Sequence, residues 1–477
     1  MSTPATQQMQ TQQAALLGVF VGSSASHTGQ RTPRGRTRVR GDRRQQGMAL
    51  VIVLTVITML AIYLSEMLQN TSTAFHVAAS QRDRLQAEYI ARSGLNLTRL
   101  LIAQEPVIRG QLAPMIKLVM QGRSPPQINV WDYANDLLAP FMDVEVAKEI
   151  GSGVDFAQME GLRSTGGTLD VIATPENGKA NVDKALWQGD ELARVSMANQ
   201  LFQLMHGNIP ESPYDAIFEQ PDADGQYSTR TDIISALLDW WDEDQIRTTY
   251  EPNDQGQGAI ANGGGEDDSY SQYRDPYEVK NTHFDSIEEL RLVRGVTDDF
   301  WATFIESDPL NPKTRNVTIY GSGAVNVNEA PPHVLLARMC VLATEQVLCR
   351  DPHQQLVFMS TMSMLRNAPI GVFGQPKDFV NFIQGKGPEY TMYAEMFAAN
   401  APELLFTPLT IDSKQLTDFK RAFITTAAIF TIQSTGKVGR SEVRITGVVN
   451  LHRTWTPPPP NAGGLPALGV FHHYRIH

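Results

Sequence analysis

Apolar and polar positions divide the chain into unlike stretches. Residues 48–64 form an unbroken apolar or threonine-containing run, MALVIVLTVITMLAIYL, directly after the polar segment GDRRQQG. Seventeen residues are marginal for crossing a bilayer, because about 20 are needed to span about 30 Å of hydrocarbon. Ser65, Met67 and Leu68 extend the run, with Glu66 near the far interface. After the polar patch Asn70–Thr73, a helical pattern continues to Ala103, with Leu85, Tyr89, Leu95, Leu97 and Leu100 on an irregular apolar face. Gly94 is expected to weaken this helix without ending it. Gln121 to Asn129 reads as a loop, and Trp131 to Met142 as a short helix or strand. Leu169 to Ala173 predicts a strand running into a turn at Pro175–Gly178. The alternation over Lys179–Asp183 then predicts its hairpin partner.

From about Asp183 to Pro408 the pattern is mainly helical with long polar loops. The predicted helices are 192–205, 230–241, 286–292, 298–305, 333–342 and 377–384. Strands are predicted again over 419–425, 428–433 and 443–451, and these would complete a sheet begun by the early hairpin. The expected fold class is therefore α+β, an antiparallel sheet discontinuous in sequence with a large α-helical domain inserted into it. The tail, 454–477, is expected to be flexible around its Pro457–Pro460 run, with His472, His473 and His477 exposed.

Charge adds a direction to this layout. The chain carries −11 in total, yet residues 1–47 hold seven arginines against the single acid Asp42, so the remainder stands near −17. A basic cluster beside an apolar run is expected to stay in the cytoplasm, which sends the large acidic part across the membrane. That acidity speaks against phosphate-backbone binding as the main job of the large domain, so no nucleic acid is expected as a partner. The two cysteines, Cys340 and Cys349, lack CxxC spacing and read as two buried thiols. A disulfide between them is open if the intervening helix ends and the compartment is oxidising.

The strongest chemical signal is Leu238-Asp239-Trp240-Trp241-Asp242-Glu243-Asp244, followed by Gly265-Glu266-Asp267-Asp268-Ser269-Tyr270. Carboxylates gathered in one neighbourhood repel unless solvated or paired with cations. Helical spacing puts Asp239 and Asp242 on one face, with Asp244 beyond the helix end. A hard divalent ion, calcium in particular, suits such oxygen ligands, and a merely solvated acidic loop is the other reading. Asp222–Gly225 reads as an ordinary turn. In 286–295, Leu290 belongs to an apolar helix face that Gly295 can terminate through a left-handed cap, and Glu289 lies in the same turn. In 323–331, Asn326 and Asn328 precede the apolar 333–342 helix, and Asn328 is expected to cap it. There is no G-x-S-x-G elbow, H-E-x-x-H motif or G-x-x-x-x-G-K-[ST] loop, so nothing argues for an enzyme.

The basic leader ending in glycine, followed by an apolar helix that runs into a soluble domain, resembles a type IV prepilin-like protein. The resemblance implies cleavage by a prepilin peptidase between Gly47 and Met48 and methylation of the new amino terminus. Most proteins of that class carry a glutamate five residues after the cut, where this chain has Ile52. That absence resembles the large minor pseudopilin of the type II secretion system, the K subunit. The DWxDxD and GxEDxxY-like segments, the "EL...G" stretch and a "VNVNTA"-like stretch with Glu329 in place of threonine resemble the same family. It implies structural calcium at Asp239, Asp242, Asp244, Glu266 and Asp267, with Asp268 as an extra acid, and a pilin-like α/β domain interrupted by a helical one. The implied division is a leader over 1–47 and an amino-terminal helix over 48–110, in the membrane over about 48–68. Pilin-like parts over 111–185 and 411–455 then flank an insertion over 186–410, and a tail covers 456–477.

The resemblance further implies a single-pass inner-membrane protein with a periplasmic domain. It would initiate a pseudopilus with the I and J subunits and stand at its tip. The major pseudopilin, inner-membrane assembly proteins, the secretin and secreted cargo are further implied partners. A type IV pilus minor pilin or assembly factor shares leader and helix, and an unprocessed bitopic protein with an acidic binding ectodomain is the third reading.

Overall fold

The computed structural model describes residues 43–119, 124–142, 166–183, 191–207, 209, 211–222, 224–253, 258–266, 270–366, 371–397, 401–452 and 468–477. The chain divides into two compact units, Met1–Phe75 and His76–His477. The described part of the first unit is helical throughout and belongs to α1, Arg43–Val119. Every residue over 47–75 is exposed. This one helix is long and apolar enough to cross a membrane. It begins five residues before the expected start and runs past Pro106 and Pro114, beyond the expected end near 110.

In the second unit, α1 packs on a four-stranded sheet. After α2 (Ala134–Met142) come β1 (Thr168–Pro175) and β2 (Ala180–Asn181), α3 (Glu191–Leu204), α4 (Arg230–Trp241), and the pair β3 (Ile246–Pro252) and β4 (Gly258–Gly265). The short strands β5 (Val317–Thr318) and β6 (Val325–Asn326) lead into α5 (Pro332–Leu342), α6 (Pro352–Arg366), α7 (Pro376–Ile383), α8 (Gly387–Phe397) and α9 (Ser413–Ala422). The chain ends in β7 (Phe423–Ile424), β8 (Ile429–Val438), β9 (Ser441–Asn450) and β10 (Val470–Ile476). The sheet order is β1-β8-β9-β10, all antiparallel, so about 250 residues of mostly helical chain separate the first two neighbours. The expected discontinuous sheet with its helical insertion is what the chain forms.

Period-two alternation decides which face of the sheet is dry. Val171 and Ala173 of β1, Phe430 and Ile432 of β8, and Ile445 and Val449 of β9 bury against Ala87, Ile90, Ala91 and Leu95 of α1. Two glycines let helix and sheet approach. A Cβ on Gly94 would stand 2.4 Å from Leu169 Cδ1 and 2.6 Å from Ser434 Oγ, and one on Gly436 would stand 2.1 Å from the Ala87 carbonyl oxygen. Gly94, read as a helix weakness, is thus a packing requirement.

Three expectations fail here, and one left open is decided. The strand ending at Pro175 forms no hairpin with 179–183. A single 3₁₀ turn, Glu176–Gly178, carries the chain out of the sheet instead, and β2 pairs parallel with β5. The strand expected over 419–425 is mainly helix α9, because Asp412 and Gln415 form a capping box that starts a helix there, and only Phe423–Ile424 is extended. The tail carries β10, whose entry is anchored by Arg99 of α1. Its guanidinium donates to the Leu468 and Gly469 carbonyls and lies 4.2 Å over the Phe471 ring. Cys340 and Cys349 are joined in a disulfide, since α5 ends at Leu342 and the chain turns back. The predicted helices 286–292 and 298–305 exist as tighter and wider turns, a 3₁₀ helix over Ile287–Leu292 and a π-helical turn over Trp301–Ile305.

Sheet and insertion meet around Glu176, which is 1% exposed. Its Oε1 accepts from Lys179 Nζ at 2.7 Å and Thr431 Oγ1 of β8 at 2.6 Å, and its Oε2 from Thr318 Oγ1 of β5 at 2.5 Å. Asn177 Oδ1 accepts the Ala428 and Ile429 backbone N–H groups. Removing one member of a buried ion pair strands the other charge at a cost of about 3–5 kcal/mol. Glu176→Ala is therefore expected to destabilise the protein by about that amount, measured by denaturant unfolding. Gly436→Ala should cost at least about 1–3 kcal/mol, because its methyl group meets backbone rather than a movable side chain. A change below about 0.5 kcal/mol, the flat end of ordinary surface substitutions, would contradict either argument.

Candidate metal centre

The acidic site forms where α4 gives way to β3. Thr229 and Asp232 cap α4 at its start, and its last turn carries Asp239 inward. Asp242 is the first non-helical residue. Strand β3 then doubles back along the helix: Ser235 Oγ accepts the Tyr250 N–H at 2.9 Å, and Asp239 Oδ1 accepts the Thr248 N–H at 2.6 Å. Asn199 of α3 holds the other strand by accepting the Gly258 N–H and the Tyr250 hydroxyl. Because β3 and β4 pair with Ile246 opposite Gly265, the residue after β4, Glu266, returns to the end of α4.

Asp239, Asp242 and Glu266 each place an oxygen within 4.8 Å of the others, and all three are buried. Desolvation pushes Asp239 up to about 7, with the charge of Asp242 adding to it against the Thr248 hydrogen bond. Desolvation, followed by the charges of Asp242 and Asp239, pushes Glu266 up to about 8. Asp242 is also raised, first by desolvation, although Arg194 opposes the shift. Arg194 Nη2 donates to Asp242 Oδ2 at 2.8 Å and to Thr248 Oγ1 at 3.0 Å. Asp242 Oδ1 and Glu266 Oε1 receive no hydrogen bond from any donor among the described residues.

Three buried carboxyls, with one hydrogen-bonded guanidinium in Arg194 and the more distant charge of Arg247, are an incomplete balance. Two of the lone buried oxygens point to what is missing, since a buried carboxylate needs a donor or a cation. An all-oxygen set matches a hard cation, so these residues fit a bound metal ion.

Asp244 stands outside this set: it is exposed, and its Oδ1 accepts the Ile246 N–H at 2.7 Å. Asp267 and Asp268 lie outside the described residues. Arg194 and Thr248 carried no signal in the sequence: Arg194 lies 48 residues from Asp242, and nothing marks Thr248, 6 residues on, as turning back onto the acids. The Asp222–Gly225 segment is the turn it was read as, with Asp222 Oδ1 accepting the Asp224 and Gln226 N–H groups.

The other singled-out residues support the site or lie apart from it. Tyr270 packs on Trp240 and accepts the Arg294 N–H, next to Gly295. Gly295 has φ +83°, the left-handed conformation expected of it, and a Cβ there would stand 2.6 Å from Ile233 of α4. Leu290 is buried, and Glu289 pairs with Lys280 at 2.7 Å. Asn326 Oδ1 accepts the Asn328 N–H. Asn328 is not a helix cap, since Pro331 occupies that position. Its side chain clamps Val372, Phe373 and Thr425 instead, a demand set by chains distant in sequence. Gly47, Met48 and Ile52 lie in exposed turns of α1.

The raised carboxyls fix the sign of a pH effect. Their folded pKa values of about 7 and 8 stand above the ordinary 3.8 and 4.5, so the stability they contribute is full below about pH 4 and lost as pH rises through 7 to 8. In chelator, the melting temperature should fall from pH 5 to pH 8. A saturating divalent cation, which needs the deprotonated site, should restore it by about 5–10 °C at pH 8 and hardly at all at pH 5. Asp242→Asn should abolish that cation effect. A cation shift of equal size at pH 5 would show that the ion acts elsewhere.

Residues 214–305, which contain α4, the β3–β4 pair and the Gly295 turn, match the family model described as Type II secretion system (T2SS), protein K. No curated protein matches the chain. Among solved structures, a chain of the GspK-GspI-GspJ complex from the enterotoxigenic Escherichia coli Type 2 Secretion System is similar at 15% identity and a TM-score of 0.36. The similarity covers 65% of this chain and 78% of that one. The similarity to protein K of the type II secretion system is carried by this 214–305 segment.

Proposed function

We propose that the protein is a minor pseudopilin that initiates a type II secretion pseudopilus with the I and J subunits and stands at its tip. The observation that carries this reading is the insertion itself: a family-matching helical segment lies between β1 and β8 of a sheet packed on the continuation of a membrane-length helix. Such a helix stores the protein in the inner membrane, with the large domain in the periplasm. On assembly, packing against neighbouring helices takes the place of the surrounding lipid. The role is structural, and no residue is assigned to catalysis.

Processing is part of the proposal. Residues 1–47 act as a leader removed by prepilin peptidase between Gly47 and Met48, and the new terminus is methylated. Ile52 stands in place of a glutamate that would otherwise seek the amino terminus of a subunit above. In hydrocarbon an uncompensated carboxylate is costly, so its absence suits a subunit with nothing above it. The ion held by Asp239, Asp242 and Glu266 is calcium, with Asp244, Asp267 and Asp268 close by in sequence to complete or screen its shell. It fastens the β3–β4 pair to α4, and so shapes the inserted domain that the partners and cargo meet.

Three measurements test this reading. Mass spectrometry of the membrane-extracted protein should find an N-methylated chain beginning at Met48; a chain retaining Arg43 and Arg44 would reject the processing model. Co-expression with pseudopilins I and J should yield a complex in detergent. Deletion of this protein should abolish enzyme export while leaving any surface pili intact, whereas lost pili with intact export would assign it to a type IV pilus.

A further inference from the structure

The two edges of the four-stranded sheet are finished differently. At the β1 edge, Asn135 of α2 caps the strand: its Oδ1 accepts the Val171 N–H at 2.7 Å and its Nδ2 donates to Asp170. At the β10 edge, no described residue pairs with the outer side of the strand. His477 and Arg444 exchange backbone hydrogen bonds in both directions, so by antiparallel alternation the N–H and C=O groups of Tyr474 and Ile476 point away from β9. A row of unused main-chain donors and acceptors is a template for one more strand.

Beneath this edge lies a groove of about 580 Å³, between the polar face of the sheet and the inserted domain. His473, Arg475 and His477 of the β10 segment, Arg444 and Thr446 of β9, and Gln433 of β8 line its strand side. That side is basic in an otherwise acidic protein. Arg475 has no ion pair among the described residues. Nearby, Glu442 is shared between Lys437 at 3.1 Å and Arg444 at 3.9 Å, so three cations face one acid. Of the acids on the far wall, Glu306 is already occupied by Arg315 at 2.7 Å, while Glu288 remains.

From this combination we infer that β10 is a docking edge for an extended acidic peptide segment of a partner protein, added antiparallel or parallel as a fifth strand. Main-chain bonds to Tyr474 and Ile476 would supply affinity, and alternate acidic side chains would reach Arg475 and Arg444. The basic edge would repel basic strands and offer neutral ones no charge attraction, which favours acidic strands over others.

The test uses the full chain in detergent and a short labelled peptide of alternating glutamate and threonine, with binding read by fluorescence anisotropy. The same peptide with lysine in place of glutamate is the control. Saturable binding of the acidic peptide alone, weakened about tenfold or more by Arg475→Glu, is expected. Ile476→Pro removes one outward N–H at an edge position that tolerates proline, and should weaken binding equally without shifting the melting temperature. Two peptides methylated on alternate sets of backbone nitrogens leave the protein untouched: one set should abolish binding and the other spare it. Equal binding of both methylated peptides would reduce the site to charge attraction and overturn strand addition. Absent binding of the acidic peptide, or equal binding of the lysine control, would overturn the proposal outright.

Discussion

The Glu176 carboxylate is the interaction on which the arrangement of the second unit depends. Burial alone would raise its pKa, but Lys179 and then Arg315, together with hydrogen bonds from Lys179 and Thr318, outweigh that and hold it below the ordinary value. It touches β8 through Thr431 and β5 through Thr318 from the single turn by which the chain leaves the sheet. Sheet and insertion therefore share one buried charge and cannot be positioned independently around it. The adjacent Asn177 reinforces the link by satisfying two backbone donors where β8 begins. Such a network is costly if half-made and specifying when complete.

The two faces of the sheet divide the work. One face takes α1 so closely that glycine is required at both Gly94 and Gly436, so helix and sheet are joined by backbone proximity. The opposite face stays polar, carries the groove, and faces the inserted domain. The insertion thus leaves undisturbed the face that binds the helix.

The acidic centre follows the opposite logic from Glu176. There the carboxylate is met by a lysine and two hydroxyls, and its charge is retained. At Asp239, Asp242 and Glu266 the one hydrogen-bonded arginine, Arg194, meets Asp242 alone, and the pKa values of all three rise. A protein that buries three carboxyls with so little compensation leaves the balance to protons at low pH or to a cation at higher pH. The site also closes the open end of the β3–β4 pair, so occupancy by an ion would be felt along both strands.

The sequence by itself determined the long apolar helix, the α+β class, the interrupted sheet, most helices of the insertion and the segments holding Asp239, Asp242 and Glu266. Each of these rests on local periodicity, on local charge or on a resemblance carried by short contiguous motifs. Gly295 was legible for the same reason, since a left-handed cap is a property of a few consecutive residues. Only the tertiary structure decided which strand β1 pairs with, that 413–422 is a capped helix, that the tail returns as β10, that Cys340 meets Cys349, and that Asn328 clamps distant chains. It also added Arg194 and Thr248 to the acidic centre, 48 and 6 residues from Asp242. The physical reason is common to all of them: strand pairing, side-chain clamps and buried charge compensation are satisfied by whatever group folding brings near, and the spacing of residues along the chain does not record it.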